Sequence, residues 1–150
     1  MYRKLRRAEQ SMTLFDKQTN PDALSPLTLA FVGDAYFSLV IREMLVSDAN
    51  RPVRDLHKLS VKAVNAQAQA KYMKTLLPVL TEKETEVFKR GRNAHTSHTP
   101  KNQSGCDYHY ATGFEALVGY LYLSGSLERL NSLFNVVINE IGADIFESKE

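Results

Sequence analysis

Beyond residue 24 the apolar positions of the chain recur at helical spacing, and nowhere do they alternate as a half-buried strand requires, so the pattern predicts an all-α protein. The densest stretch runs from 27 to about 46, with Leu29, Phe31, Val32, Tyr36, Phe37, Leu39, Val40, Ile41, Met44 and Leu45. Ser25 is placed to cap its start, and Pro26 suits the first helical position. A helix apolar over so much of its surface is expected to be buried on most sides. After Arg51-Pro52, residues 53–63 and 64–77 read as two helices or one bent helix, which Pro78 ends. Thr81-Glu82-Lys83-Glu84 is a capping-box pattern that predicts a helix to about Arg90. Residues 91–107, with Gly91, Pro100 and Gly105, read as a polar loop. A second dense apolar helix follows from 108 to 123. Ser126 is placed to cap a last helix, in which Leu127, Leu130, Phe134, Val137, Ile138 and Ile141 repeat.

The pattern is weak before residue 24. Residues 1–23 open with a basic cluster (Arg3, Lys4, Arg6, Arg7) and run through polar residues to Asn20-Pro21-Asp22. Two readings stand: a flexible leader, or a basic arm that touches phosphate. One domain spanning 24–146 is then expected, and 150 residues are enough to bury a core. A formal net charge of +2 does not decide the partner, so any nucleic-acid signal must come from where the charge sits. The single cysteine, Cys106, cannot close an internal disulfide. The chain shows no signal-peptide run and no stretch near the ~20 apolar residues of a membrane span, which points to a cytoplasmic protein with no membrane partner.

Each of the two most apolar helices carries one carboxylate inside its apolar stretch. Asp34 sits in Leu29-Ala30-Phe31-Val32-Gly33-Asp34-Ala35, and Glu115 in Gly113-Phe114-Glu115-Ala116-Leu117-Val118-Gly119. The small neighbours Gly33, Ala35, Ala116 and Gly119 would let two helices approach closely and bring the acids to one site. Two such carboxylates repel unless one keeps a proton or a cation lies between them. Magnesium suits that case, because it takes oxygen ligands from one or two carboxylates and keeps several waters. The alternative is that each acid is satisfied separately by an Arg, a Lys or a helix-end amide.

Lys89, Arg90, Arg92 and Lys101 carry positive charge without an intervening acid, among the hydrogen-bonding side chains Asn93, Thr96, Ser97 and Asn102. The mixture suits sugar-phosphate contacts, and a solvated polar loop is the other reading. His95, His98 and His109 lie near Cys106 without a zinc-ligand spacing.

The first acidic stretch resembles the Leu-Glu-Phe-Leu-Gly-Asp-Ser motif of ribonuclease III nuclease domains. The stretch Thr112-Gly-Phe-Glu-Ala-Leu-Val-Gly-Tyr-Leu-Tyr-Leu123 resembles that family's second acidic motif, Asp-x-x-Glu-Ala-Leu-Ile-Gly-Ala-x-Tyr-Leu. The basic segment Gly91-Arg-Asn-Ala-His-Thr-Ser-His-Thr-Pro-Lys-Asn102 is similar to the corresponding loop of the compact bacterial branch, Mini-ribonuclease III. Two departures from the larger enzymes accompany the match. Their glutamate four residues before the aspartate is Ala30 here, and their aspartate three residues before the second glutamate is Thr112. The compact branch shares that reduction, which leaves the number of metal ions open.

The resemblance implies a helical, two-fold homodimeric endoribonuclease that cuts double-stranded RNA with Mg2+. Asp34 would be the catalytic aspartate and Glu115 the metal-binding glutamate, with one site cutting each strand to leave 5′-phosphate ends. Lys89, Arg90, Arg92, Asn93, Thr96, Ser97, Lys101 and Asn102 would meet the RNA. It also implies a stem of precursor large-subunit ribosomal RNA as substrate, presented by a ribosomal protein, and no appended double-stranded-RNA-binding domain. The competing reading is a catalytically silent domain of this type that only binds RNA or ribosomal proteins.

Overall fold

The computed structural model describes residues 19–94 and 105–147. They form the α-helices α1 (Pro26–Asp48), α2 (Val53–Val64), α3 (Ala66–Leu76), α4 (Glu82–Arg92), α5 (Gly105–Leu123) and α6 (Leu127–Phe146). The all-α expectation holds, with no strand among the described residues.

Local chemistry sets most of the helix ends. The Ser25 hydroxyl accepts from the Thr28 amide at 3.2 Å, with Pro26 in the first turn. Asn65 ends one helix and starts the next: its Nδ2 donates to the Val61 carbonyl at 2.9 Å while its Oδ1 accepts from the Ala68 amide at 2.8 Å. Residues 53–77 are therefore two helices that meet at a capping residue. The predicted capping box is complete, with the Thr81 hydroxyl accepting from the Glu84 amide at 3.1 Å and the Glu84 carboxylate from the Thr81 amide at 2.9 Å. Ser126 occupies the cap position of α6, but its side chain makes no capping bond. The turn before it is set instead by Gly125 at φ 75°, a left-handed conformation that glycine adopts without steric cost.

Helix α5 is central, with α1, α3 and α4 packed around it and α6 closing the core against α3, α2 and α5. Phe37 of α1 is fully buried where four helices meet. Its ring lies 5.0 Å from Phe114 of α5, 6.2 Å from Tyr72 of α3 and 6.0 Å from Phe134 of α6. Polar ties reinforce the packing. Asp144 on α6 accepts from Tyr72 Oη and from Lys71 Nζ, each at 2.6 Å. Buried Glu84 on α4 holds Arg129 of α6 through two bonds of 2.8 and 2.9 Å.

The structure changes three expectations. Helix α1 is not buried on most sides. It turns Leu29, Ala30, Gly33, Phe37, Ile41 and Leu45 inward and leaves Phe31, Leu39 and Val46 exposed at 79%, 61% and 59%. Its surplus of apolar surface lies on the outside of the chain. Nor does Gly91 open the loop. It is a buried residue of α4, and a Cβ there would come within 2.7 Å of the Ala116 Cβ and 2.9 Å of the Gly113 Cα. Glycine is needed at this position for the approach of α4 to α5. Likewise α5 begins at Gly105, three residues before the predicted start.

Residues 1–18 and 95–104 lie outside the described residues, and with them most of the leader and loop readings. Pro21–Ala23 form a short 3-10 turn capped by Asn20. Asp22 in that turn pairs with Lys83 of α4 at 3.0 Å and accepts from Tyr120 Oη of α5 at 3.3 Å.

Candidate active site

The α1–α5 crossing rests on two reciprocal glycines. A Cβ on Gly33 would stand 1.7 Å from the Glu115 carbonyl oxygen, and one on Gly119 would stand 1.9 Å from the Leu29 carbonyl oxygen. Only glycine allows backbones so near. The contact brings Asp34, next to Gly33, alongside Glu115.

Both acids line one cleft of about 420 Å³. Its walls come from α1 (Leu27, Ala30, Phe31, Asp34), from the α2–α3 junction (Asn65, Gln69) and from α5 (Tyr108, Thr112, Glu115). Asp34 is exposed at the mouth, contrary to the expectation of a buried acid, because it lies toward the outer face of α1. Glu115 lies deeper and is only partly exposed. Burial, and next the charge of Asp34, push its carboxyl up to about 7, while a hydrogen bond from the Gln69 side chain works against them. Glu115 therefore senses the charge of Asp34 across the cleft, and among the described residues no cationic side chain offsets it.

The donors suit a hard divalent cation such as Mg2+. Two carboxylates would hold it, and waters would fill the remaining positions. Among the described residues no group of three or more His, Cys, Asp or Glu side chains is clustered as a metal site, so a fuller protein cage is absent there. Ala30 and Thr112 lie on the cleft wall, where acids would otherwise have added ligands. The Thr112 hydroxyl donates instead to the Tyr108 carbonyl at 3.0 Å.

The basic residues are placed apart from this cleft. Lys89, Arg90 and Arg92 belong to the last turn of α4, and Asn93 is its C-cap. Cations are favoured there by the helix dipole. Lys89 and Arg90 are exposed and line, with Asn93, a shallow depression bounded by Pro26 and Glu86. The Arg92 guanidinium lies 5.6 Å over the Phe88 ring, and its Nε donates to Asn93 Oδ1 at 3.2 Å. Thr96, Ser97, Lys101 and Asn102 fall outside the described residues.

Sequence reasoning missed two features beside the cleft. Gln69 is a buried amide on its wall. A neighbouring depression of about 360 Å³ shares Asn65 with the cleft and is lined by Lys62, Lys71 and Lys74 together with Asp107 and Asp144.

This helical fold, with its paired acids at a glycine crossing, matches the Ribonuclease III domain family over residues 27–126. A Mini-ribonuclease 3 of a Thermoanaerobacter species is 49% identical over 119 residues, 79% of this chain and 84% of the relative. One from Streptococcus pneumoniae is 41% identical over 79% of this chain and 94% of its own length. A crystal structure of a Fusobacterium nucleatum protein superposes with a TM-score of 0.71 at 31% identity, covering 79% of this chain and 94% of that one. The chain belongs to the ribonuclease III family, in its Mini-ribonuclease III branch, and is an endoribonuclease.

Proposed function

We propose that the chain cuts double-stranded RNA with Mg2+ at the Asp34–Glu115 cleft, acting as a homodimer on a stem of precursor large-subunit ribosomal RNA. The observation that carries this reading is the convergence of two carboxylates from different helices on one cleft, with the deeper one raised to about 7 by burial and by the other's charge. Such a pair is relieved by a shared cation. When bound, the ion supplies a Lewis acid and lowers the pKa of water beside the phosphodiester. Asp34 and Glu115 hold it, and Asp34, exposed at the mouth, faces the substrate side. The products carry 5′-phosphates.

Other parts of the reading rest on surface chemistry. Phe31, Leu39 and Val46 form an exposed apolar stripe on α1, of the kind that marks an interface, and a second copy of the chain would cover it. Duplex RNA is recognised by shape and backbone, so cations and short polar side chains serve it best. Lys89, Arg90 and Arg92 would meet phosphates, with Asn93, Thr96, Ser97, Lys101 and Asn102 completing the surface. A ribosomal protein that presents the stem, a cytoplasmic location and a nuclease domain spanning 24–146 belong to the same proposal. No helix among the described residues is long and apolar enough to cross a membrane.

The test is cleavage of a long RNA duplex with and without Mg2+. Wild type should cut only with the ion. Asp34→Asn should abolish cutting while leaving duplex binding largely intact. Near-normal cutting by Asp34→Asn would overturn the site. Binding without cutting by wild type would favour a silent domain.

A further inference from the structure

The cleft wall holds a group to which the proposed reaction assigns no role. Gln69 is only 2% exposed, yet it is an amide on the inward face of α3, in line with Tyr72, Met73 and Leu76. Its Nε2 donates to the Val64 carbonyl at 2.8 Å. A carbonyl can only accept, so this bond fixes which end of the amide faces it. The same side chain lies against Glu115 on the cleft wall and opposes the rise of its carboxyl pKa. The amide oxygen Oε1 is buried and has no donor among the described residues. Buried acceptors nearly always have a partner, and an orphan in a cleft calls for a missing donor.

A divalent cation held by two carboxylates supplies such donors, because it keeps several waters. Each of those waters needs an acceptor. Ala30 offers no oxygen, and the Thr112 hydroxyl is turned back onto α5. Gln69 Oε1 is the buried acceptor left on that wall.

We infer that Gln69 is a positioning residue of the metal site: its Nε2 is anchored on the Val64 carbonyl beside Glu115, and its Oε1 accepts from the water shell of a divalent cation held by Asp34 and Glu115. This rests on the two-carboxylate reading of the cleft. Outer partners of this kind typically change metal affinity by about 10- to 100-fold when removed.

The experiment is a calorimetric titration of Mn2+ into the RNA-free protein, with melting followed in chelator and in Mn2+. Gln69→Met, close in volume, should weaken Mn2+ binding by about tenfold or more. It should also shrink the thermal shift that Mn2+ gives, with melting in chelator little changed. Gln69→Leu repeats the test should the Met variant fail to fold. Wild-type Mn2+ affinity in a folded variant would overturn the inference, whether or not melting in chelator falls. So would unchanged Mn2+ affinity with weakened RNA binding, since the missing donor would then be the RNA. Asp34→Asn separates the two levels. If it removes Mn2+ binding while Gln69→Met does not, only the role of Gln69 fails. If wild type shows no Asp34-dependent binding, the two-carboxylate reading fails with it.

Discussion

Gly33 and Glu115 touch backbone to backbone: a Cβ on Gly33 would also lie 2.7 Å from the Glu115 carbonyl carbon and 2.8 Å from the Gly119 nitrogen. Helix backbone cannot rotate away as a side chain can, so Gly33→Ala must part α1 from α5. We expect a loss of about 2–4 kcal/mol, at or above the overpacking range, and loss of cleavage as the carboxylates separate. Gly142→Ala is the control, since a Cβ there meets nothing within 4 Å. It should be neutral or stabilising by up to about 1 kcal/mol. Urea denaturation and duplex cleavage of both variants check the pair.

The raised carboxyl of Glu115 gives a pH signature opposite to that of most native carboxylates. Its folded value of about 7 exceeds the ordinary 4.5, so the folded protein binds a proton that the unfolded chain has released. Stability from this group is full below about 4.5, is lost as pH rises to about 7, and is flat above. The difference amounts to roughly 3 kcal/mol. Glu84 runs the other way: its hydrogen bonds to Arg129 hold it below the usual carboxylate range, and its contribution is lost only in acid. Urea denaturation in chelator between pH 5 and 8 should show the Glu115 slope, and Glu115→Gln should flatten it. Mg2+ should also restore stability near pH 8 and release protons on binding below pH 7. A metal-free protein that gains stability over this range would contradict the assignment.

For assembly, the informative residue is Leu39 rather than Phe31, because Phe31 also lines the cleft. Leu39→Glu puts a charge on the exposed stripe of α1 without touching the core. Light scattering at micromolar concentration should report a dimer for wild type and a monomer for this variant. A wild-type monomer would remove the basis for one site per strand.

The salt dependence of RNA binding should follow the individual cations of α4. Lys89 and Arg90 are exposed, whereas Arg92 is partly occupied by Phe88 and Asn93. Replacing Lys89 or Arg90 with Ala should weaken duplex affinity and reduce the slope of log affinity against log salt by about one ion each. Arg92→Ala should reduce the slope less. Slopes unchanged from wild type in all three variants would place the RNA elsewhere, with the Lys62–Lys71–Lys74 depression the next surface to test.

The reach of the sequence followed the range of the forces involved. Ser25-Pro26, Thr81 with Glu84, and the stop near Pro78 act within a few residues, and they were legible. Gly91 was misread because a glycine that breaks a helix and one that admits a neighbouring helix look alike until the neighbour is known. The exposure of Asp34 was missed for a related reason. When nearly every face of a helix is apolar, only the positions of the other helices decide which face is outside. Asp34 and Glu115 stood out as acids in apolar runs, whereas Gln69 hid among Ala66, Gln67, Ala68 and Ala70. Its signal was a polar residue in register with Tyr72, Met73 and Leu76, at offsets of three, four and seven.

Asp144 gives α6 a duty that the family match does not reveal, since that match ends at residue 126. By gripping Lys71 and Tyr72 it braces α3, and α3 carries the cleft wall on which Gln69 sits. A chain shortened before Asp144 would keep both carboxylates and lose the strut behind that wall. The chemistry of the site is complete at Glu115, but its architecture is complete only near the end of the last helix.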